Sequence, residues 1–132
     1  PHPVSRQTLD DPRVITATRS GTDPLFAADY VITDYSTVMY EAGLMGMPVY
    51  LYAYDWDTYH EKRSFNIDLA RDVPTLFTND AAAIATAIDL DQFDEQAFAR
   101  FTESNIAALA GESAAQHLTR RIIALAEEQP PR

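Results

Sequence analysis

Two short apolar runs bracket one helix-length segment, and this arrangement limits the possible folds more than any other feature. Tyr30-Val31-Ile32-Thr33 is β-rich and uncharged, and Val49-Tyr50-Leu51-Tyr52 after Pro48 is apolar on successive positions. A strand whose side chains are apolar in both directions must be covered on both faces, as a parallel strand between helical layers is. Between the runs, Asp34-Tyr35-Ser36-Thr37 reads as a turn and cap, followed by a helix over 37–44. Gly43 and Gly46 mark that helix's end or a close packing contact, and Pro48 stops it.

The alternation continues in both directions. Residues 14–17 are a short strand candidate, and Asp23-Pro24 opens a brief helix through Ala28, with proline suitably near the first turn. Residues 74–77 read as a fourth strand, and Thr78-Asn79-Asp80 caps a helix over 81–90. Helices over 95–109 and 113–127 follow, separated by Gly111. Phe93, Phe98, Phe101, Ile106, Leu109, Leu118, Ile122 and Leu125 recur at near-helical spacing there, which reads as a packing stripe. Residues 55–68 read as an aromatic, charged, loop-like insert. The pattern predicts one domain over 1–127 and a disordered tail over 128–132. The fold class is α/β: a Rossmann-like parallel sheet with helices on both faces. Such sheets bind ligands at the carboxyl ends of their strands, which directs attention to residues 33–37, 53–55 and 78–79.

Composition narrows the function. Hydrophobic residues make up 46% of the 132, ample for a core. With no cysteine, disulfides, thiolate metal sites and a thiol nucleophile are excluded. A net charge of −10 argues against nucleic acid as a partner and against a polybasic membrane anchor in this segment. A phosphate ligand remains admissible if backbone N–H groups at a helix start hold it locally.

Several residues carry candidate chemistry. Asp34, Ser36 and Thr37 sit where a strand end opens a helix, so a phosphate would meet N–H and O–H donors without a lysine. From spacing alone an ordinary N-cap is the favoured alternative. His2, extended by Pro3, is a candidate general base or phosphate contact, although spacing alone favours a terminal tail. Arg63 has the fork that suits phosphate, with a surface ion pair to Asp55, Asp57 or Asp68 as the alternative. Asp55-x-Asp57 is a weak metal signal, and neither a metal nor a cofactor is expected.

Taken together, these segments resemble one family. Residues 28–41 are similar to its D-x-x-I-T-D-Y-S-S strand and helix start, and residues 48–55 to its R-P-I-I-F-Y-A-Y-D strand. Tyr59-His60-Glu61-Lys62-Arg63-Ser64-Phe65 resembles its Y-x-x-x-R-G-F element, and His2-Pro3 the H-P that begins its C-terminal domain. The family is the CDP-glycerol:poly(glycerophosphate) glycerophosphotransferases, and the resemblance runs from His2 to about Ile123. Thr37, Ser64 and Glu41 depart from the family's serine, glycine and aspartate.

The resemblance implies the C-terminal half of a GT-B-type fold. That half holds CDP-glycerol or a related CDP-polyol, and an N-terminal domain of the same protein, expected outside this chain, serves a polymer acceptor. An acceptor hydroxyl attacks the β-phosphate and CMP leaves. His2 is then the catalytic or phosphate-contacting histidine, and Ser36 and Thr37 bind the pyrophosphate with Arg63 as the motif arginine. Thr78 and Asn79 are weaker candidates for the nucleotide edge. The whole protein is expected in the cytoplasm, peripheral at the membrane face. Two alternatives stay open: another GT-B sugar-nucleotide transferase or epimerase, and a non-catalytic receiver-like module. The only lysine, Lys62, lies in the insert, which disfavours the receiver.

Overall fold

The computed structural model describes residues 11–14, 23–106 and 111–128. Three strands, β1 (Val31–Thr33), β2 (Val49–Tyr52) and β3 (Phe77–Thr78), form a parallel sheet in the order β1-β2-β3. Val31 pairs with Val49 and Thr33 with Leu51, while Leu51 pairs with Phe77 and Tyr52 with Thr78. A 3-10 turn at Asp23–Ala27 precedes β1. Helix α1 (Val38–Leu44) connects β1 to β2; α2 (Trp56–Lys62) and α3 (Leu69–Asp72) connect β2 to β3. Helices α4 (Ala81–Asp89), α5 (Glu95–Asn105) and α6 (Ala114–Glu128) follow.

Sequential strand order puts both crossovers on one side of the sheet when their handedness is uniform. The core shows this layering. Val49 and Leu51, both fully buried, pack with Met39 and Ala42 of α1, Leu69 of α3, and Phe98 and Phe101 of α5. Tyr50 points the other way and packs with Ile84 and Ala87 of α4. Helices therefore cover both faces, as the unbroken apolar run of β2 requires.

The caps follow the sequence. Asp80 and Asp94 accept hydrogen bonds from the Ala82 and Ala97 N–H groups at 2.8 Å each, closing the starts of α4 and α5. Ser113 and Gln116 exchange bonds in a capping box before α6. Gly46 ends α1 with φ +70°, a left-handed conformation that glycine adopts without strain.

Four expectations are corrected. The third described strand spans Phe77–Thr78 and not 74–77, because Thr75 is held in a turn by its N–H to Val73 O at 2.8 Å and its hydroxyl to Val49 O. The loop-like insert contains α2, which packs Trp56 and Tyr59 against Tyr35, and α3 follows it. The packing stripe stops at Phe101 and half-buried Ile106: no residue of α6 is buried, and Leu118, Ile122 and Leu125 are 60%, 57% and 47% exposed. Glu128, placed in the tail, is helical. The strand over 14–17 lies outside the described residues except for Val14, whose N–H closes a turn on Asp11 O at 2.9 Å. Leu109 and residues 129–132 also lie outside them.

Gly43 is where α1 meets α5. A Cβ there would strike the Thr102 Oγ1 and come within 2.9 Å of the Phe98 ring. Thr102 is 2% exposed, and its hydroxyl has no hydrogen-bond partner among the described residues. Gly43→Ala is therefore expected to cost roughly 1–3 kcal/mol from overpacking, reduced by up to about 1 kcal/mol of helix propensity. The cost should be smaller in a Thr102→Ala background, where the nearest obstructing atom is gone. Urea unfolding of the four proteins checks this, and equal costs in both backgrounds would contradict the contact.

Candidate functional site

Because the three strands are parallel, the turns after β1, β2 and β3 share one edge. They are the segments 34–37, 53–55 and 79–80, where an α/β sheet places ligands. Asp34, Ser36 and Thr37 are exposed on the first turn, and Thr33 behind them is half-buried. Ser36 accepts from the Val38 N–H at a long 3.4 Å, and Thr37, the residue capping α1, makes no side-chain cap bond. The Met39 and Tyr40 N–H groups donate to the Ser36 and Thr37 carbonyl oxygens at 3.3 and 3.0 Å, so the exposed donors that this turn offers are chiefly the Ser36 and Thr37 hydroxyls.

The second and third turns frame a cleft. Its lining includes Ala53, Trp56 and Asp57 on one side and Phe77, Thr78 and Asn79 on the other, a volume of about 270 Å³. Thr78 is half-buried and its hydroxyl accepts from the Asp80 N–H at 3.1 Å, so it braces the turn before α4. Asn79 is exposed beside it.

Arg63 lies at the end of α2, exposed, with no ion pair among the described residues. It lines a broader, shallow cleft of about 760 Å³ together with Trp56, His60, Phe65, Asn66 and Arg71. Trp56 belongs to both clefts, so Arg63 and the Thr78-Asn79 pair stand around one indole. Ser36 and Thr37 line neither of them. His60 stacks on Trp56 at 5.3 Å and its Nδ1 lies 2.7 Å from the Trp56 carbonyl oxygen, a local contact. His2 lies outside the described residues.

One contact escaped the sequence reading. Tyr35 Oη donates to Asp55 Oδ1 at 2.9 Å, joining the first turn to the second across twenty positions. The Tyr35 ring sits 4.4 Å from Tyr59, 5.3 Å from Trp56 and 6.1 Å from Phe65 between centroids. Asp55 is therefore a partner of Tyr35, and among the described residues no group of three or more His, Asp or Glu is placed to hold a metal ion. The available signal was the Trp56–Tyr59 spacing of three, which puts both rings on one helical face.

Comparison with known proteins gives a consistent result. A family model described as CDP-Glycerol:Poly(glycerophosphate) glycerophosphotransferase matches residues 1–124. A teichoic acid ribitol-phosphate primase of Bacillus spizizenii is 30% identical over 118 residues, covering 85% of this chain and 30% of that protein. A teichoic acid glycerol-phosphate transferase of Staphylococcus aureus is 37% identical over 76 residues, covering 57% of this chain and 19% of that protein. Among solved structures, the wall teichoic acid polymerase TagF shares the fold, with TM-score 0.54 at 24% identity over 80% of this chain and 27% of that one. The chain thus spans between 19% and 30% of the length of these relatives.

The Tyr35 phenol is pushed well above its ordinary value of 10.0, first by burial, then by its hydrogen bond to the Asp55 carboxylate and by that charge. Both effects favour the neutral phenol in the fold. The stability it contributes is complete below pH 10.0 and is lost as pH rises through the elevated folded value. Tyr35→Phe is expected to lose about 1.5 kcal/mol at neutral pH, the low end for a bond to a charged group because both partners are only half-buried. Its stability should then fall less steeply than the wild type's above pH 10.0, where Tyr40 and Tyr50, also raised by burial, act in both proteins. Urea unfolding across that range is the check, and parallel curves would contradict the assignment.

Proposed function

From the premise that the chain belongs to the CDP-glycerol:poly(glycerophosphate) glycerophosphotransferase family, we propose that residues 1–127 form the nucleotide-diphosphate-binding domain of a polyol-phosphate transferase. It is read as the C-terminal half of a GT-B-type enzyme that takes CDP-glycerol or CDP-ribitol as donor and a teichoic-acid-type polymer as acceptor. The observation that carries this reading is the family match over residues 1–124. The exposed hydroxyls of Ser36 and Thr37 at the carboxyl edge of a parallel sheet support it.

In this reading the acceptor hydroxyl attacks the β-phosphorus, a new P–O bond forms, and the bond to CMP breaks. Such transfers depend mainly on positioning and on stabilising charge at the phosphoryl oxygens. The Ser36 and Thr37 hydroxyls, with the N–H groups of the turn ahead of α1, receive the diphosphate. Seven residues give α1 a small dipole, so the local donors matter more than the helix as a whole. Arg63 adds a fixed positive charge at the neighbouring cleft. Thr78 and Asn79 meet the nucleoside, and Asp34, an acceptor only, pairs with a ribose or polyol hydroxyl. His2 takes the acceptor's proton. A second domain of the same protein supplies the opposite wall, and the whole enzyme works in the cytoplasm against the membrane face. Among the described residues no helix is long and apolar enough to cross a membrane.

Ser36→Ala is expected to weaken CDP-glycerol or CDP-ribitol binding by roughly tenfold to a hundredfold, the loss of one charge-assisted hydrogen bond. Thr37→Ala should cost less, since its backbone N–H stays. Calorimetric titration with CDP-glycerol, CDP-ribitol, CMP and UDP-N-acetylglucosamine checks both variants and the donor class. A Ser36→Ala protein that loses about 1 kcal/mol of stability but binds unchanged would reduce Ser36 to a helix cap. A preference for the UDP-sugar would replace the donor assignment. The purified 132-residue chain should release no CMP from CDP-glycerol with acceptor present, because the proposed site needs a second domain as its other wall; turnover would contradict the two-domain site.

A further inference from the structure

We propose that Tyr35 is the positioning residue of this edge, locking the turn after β1 so that Ser36 and Thr37 face the donor's diphosphate in a fixed geometry. The inference rests on the reading of the edge given above. Tyr35 lies between two exposed residues, Asp34 and Ser36, yet its own side chain turns inward. The hydroxyl is tied to Asp55 at 2.9 Å, and the ring is caged by Tyr59, Trp56 and Phe65. Inside the turn the side chains hold it weakly: the Ser36 bond to Val38 N–H is 3.4 Å long and Thr37 makes no side-chain cap, which leaves the backbone bonds from Met39 N–H to Ser36 O at 3.3 Å and from Tyr40 N–H to Thr37 O at 3.0 Å. A seven-residue helix is too short to fix its own first turn. Met39 and Val38 anchor the helix start to the core, and Tyr35 is the side chain that ties the turn ahead of it to the turn after β2.

The same ring couples the turn to the rest of the edge. Trp56, against Tyr35, meets Phe77 edge-on at 5.0 Å, and Phe77 precedes Thr78 in β3. Tyr59, whose ring lies tilted against Tyr35, accepts the Arg63 N–H at its carbonyl oxygen at 3.1 Å. One phenol thus sets the relative placement of Ser36, Arg63 and Thr78, which lie on three different elements. A turn fixed before the donor arrives avoids ordering on binding, and a misplacement of about 1 Å can cost on the order of a hundredfold in a phosphoryl-transfer geometry.

The test uses the full chain and two probes, CDP-glycerol and cytidine, with amide hydrogen exchange as a ligand-free readout. Tyr35→Phe and Asp55→Ala are each expected to weaken CDP-glycerol binding about tenfold while cytidine binding stays within about twofold. Exchange at the amides of residues 36–38 should rise about tenfold with α4 unchanged. Asp55→Asn, which keeps an acceptor, should recover most of what Asp55→Ala loses, and the double variant should be no worse than either single one. Equal losses for both probes, with α4 amides also exchanging faster, would mean a general structural role and overturn the proposal. So would unchanged CDP-glycerol binding in Tyr35→Phe beside a weakened Ser36→Ala, an outcome that leaves the phosphate edge standing. A wild-type chain that ignores CDP-glycerol and CDP-ribitol alike overturns the edge reading, and this inference falls with it.

Discussion

The double burial of β2 is the constraint on which the rest of the molecule depends. Val49 and Leu51 are sealed under α1, α3 and α5, while Tyr50 between them is sealed under α4. Each such side chain contributes about 1.5–3 kcal/mol through burial. A one-residue slip would drive the Tyr50 ring into the space of Val49 or Leu51 and reverse both faces, so the register has no near alternative. With β2 fixed, β1 and β3 can pair with it in only one place, and their carboxyl ends arrive on one edge. The Tyr35–Asp55 bond is possible only because that register brings the turns after β1 and β2 side by side.

The parts legible in the sequence were those determined by local chemistry. β2 announced itself by its unbroken apolar run, and α4 by Asp80 at its start. The edge that carries Ser36 and Thr37 followed from strand polarity alone. The parts that were not legible depend on partners far along the chain. Helix α2 has no buried residue, and its Trp56 and Tyr59 are organised by Tyr35, which is some twenty positions away. Strand β3 begins later than its apolar residues suggest because Thr75 spends its hydroxyl on the Val49 carbonyl. Helix α6 has the periodic stripe, but Leu118 and Ile122 stay exposed. Periodicity identifies a face, and says nothing about what covers it.

Charge sets the last condition on the candidate edge. The chain carries a net −10, and Asp34, Asp57 and Asp80 are exposed on or beside the three turns. A carboxylate about 4 Å from a phosphate oxygen repels it by roughly 1 kcal/mol in bulk water and about 4 kcal/mol at a protein surface. That is comparable to what one charge-assisted hydrogen bond returns. An anion can therefore settle at this edge only where donors outnumber nearby carboxylates. Asp55, which would otherwise face the edge as a free acceptor, already accepts the Tyr35 hydroxyl. Around Ser36 and Thr37 the donors are chiefly their hydroxyls, with Asp34 beside them and Glu41 in the first turn of α1 as acids. In the reading proposed above, this balance suits a ligand that combines an anionic group with hydroxyls, because its hydroxyls would give Asp34 a donor while its phosphates would meet the Ser36 and Thr37 hydroxyls. A nucleoside diphosphate carrying a polyol has that composition. A bare inorganic anion offers Asp34 nothing in return for the repulsion.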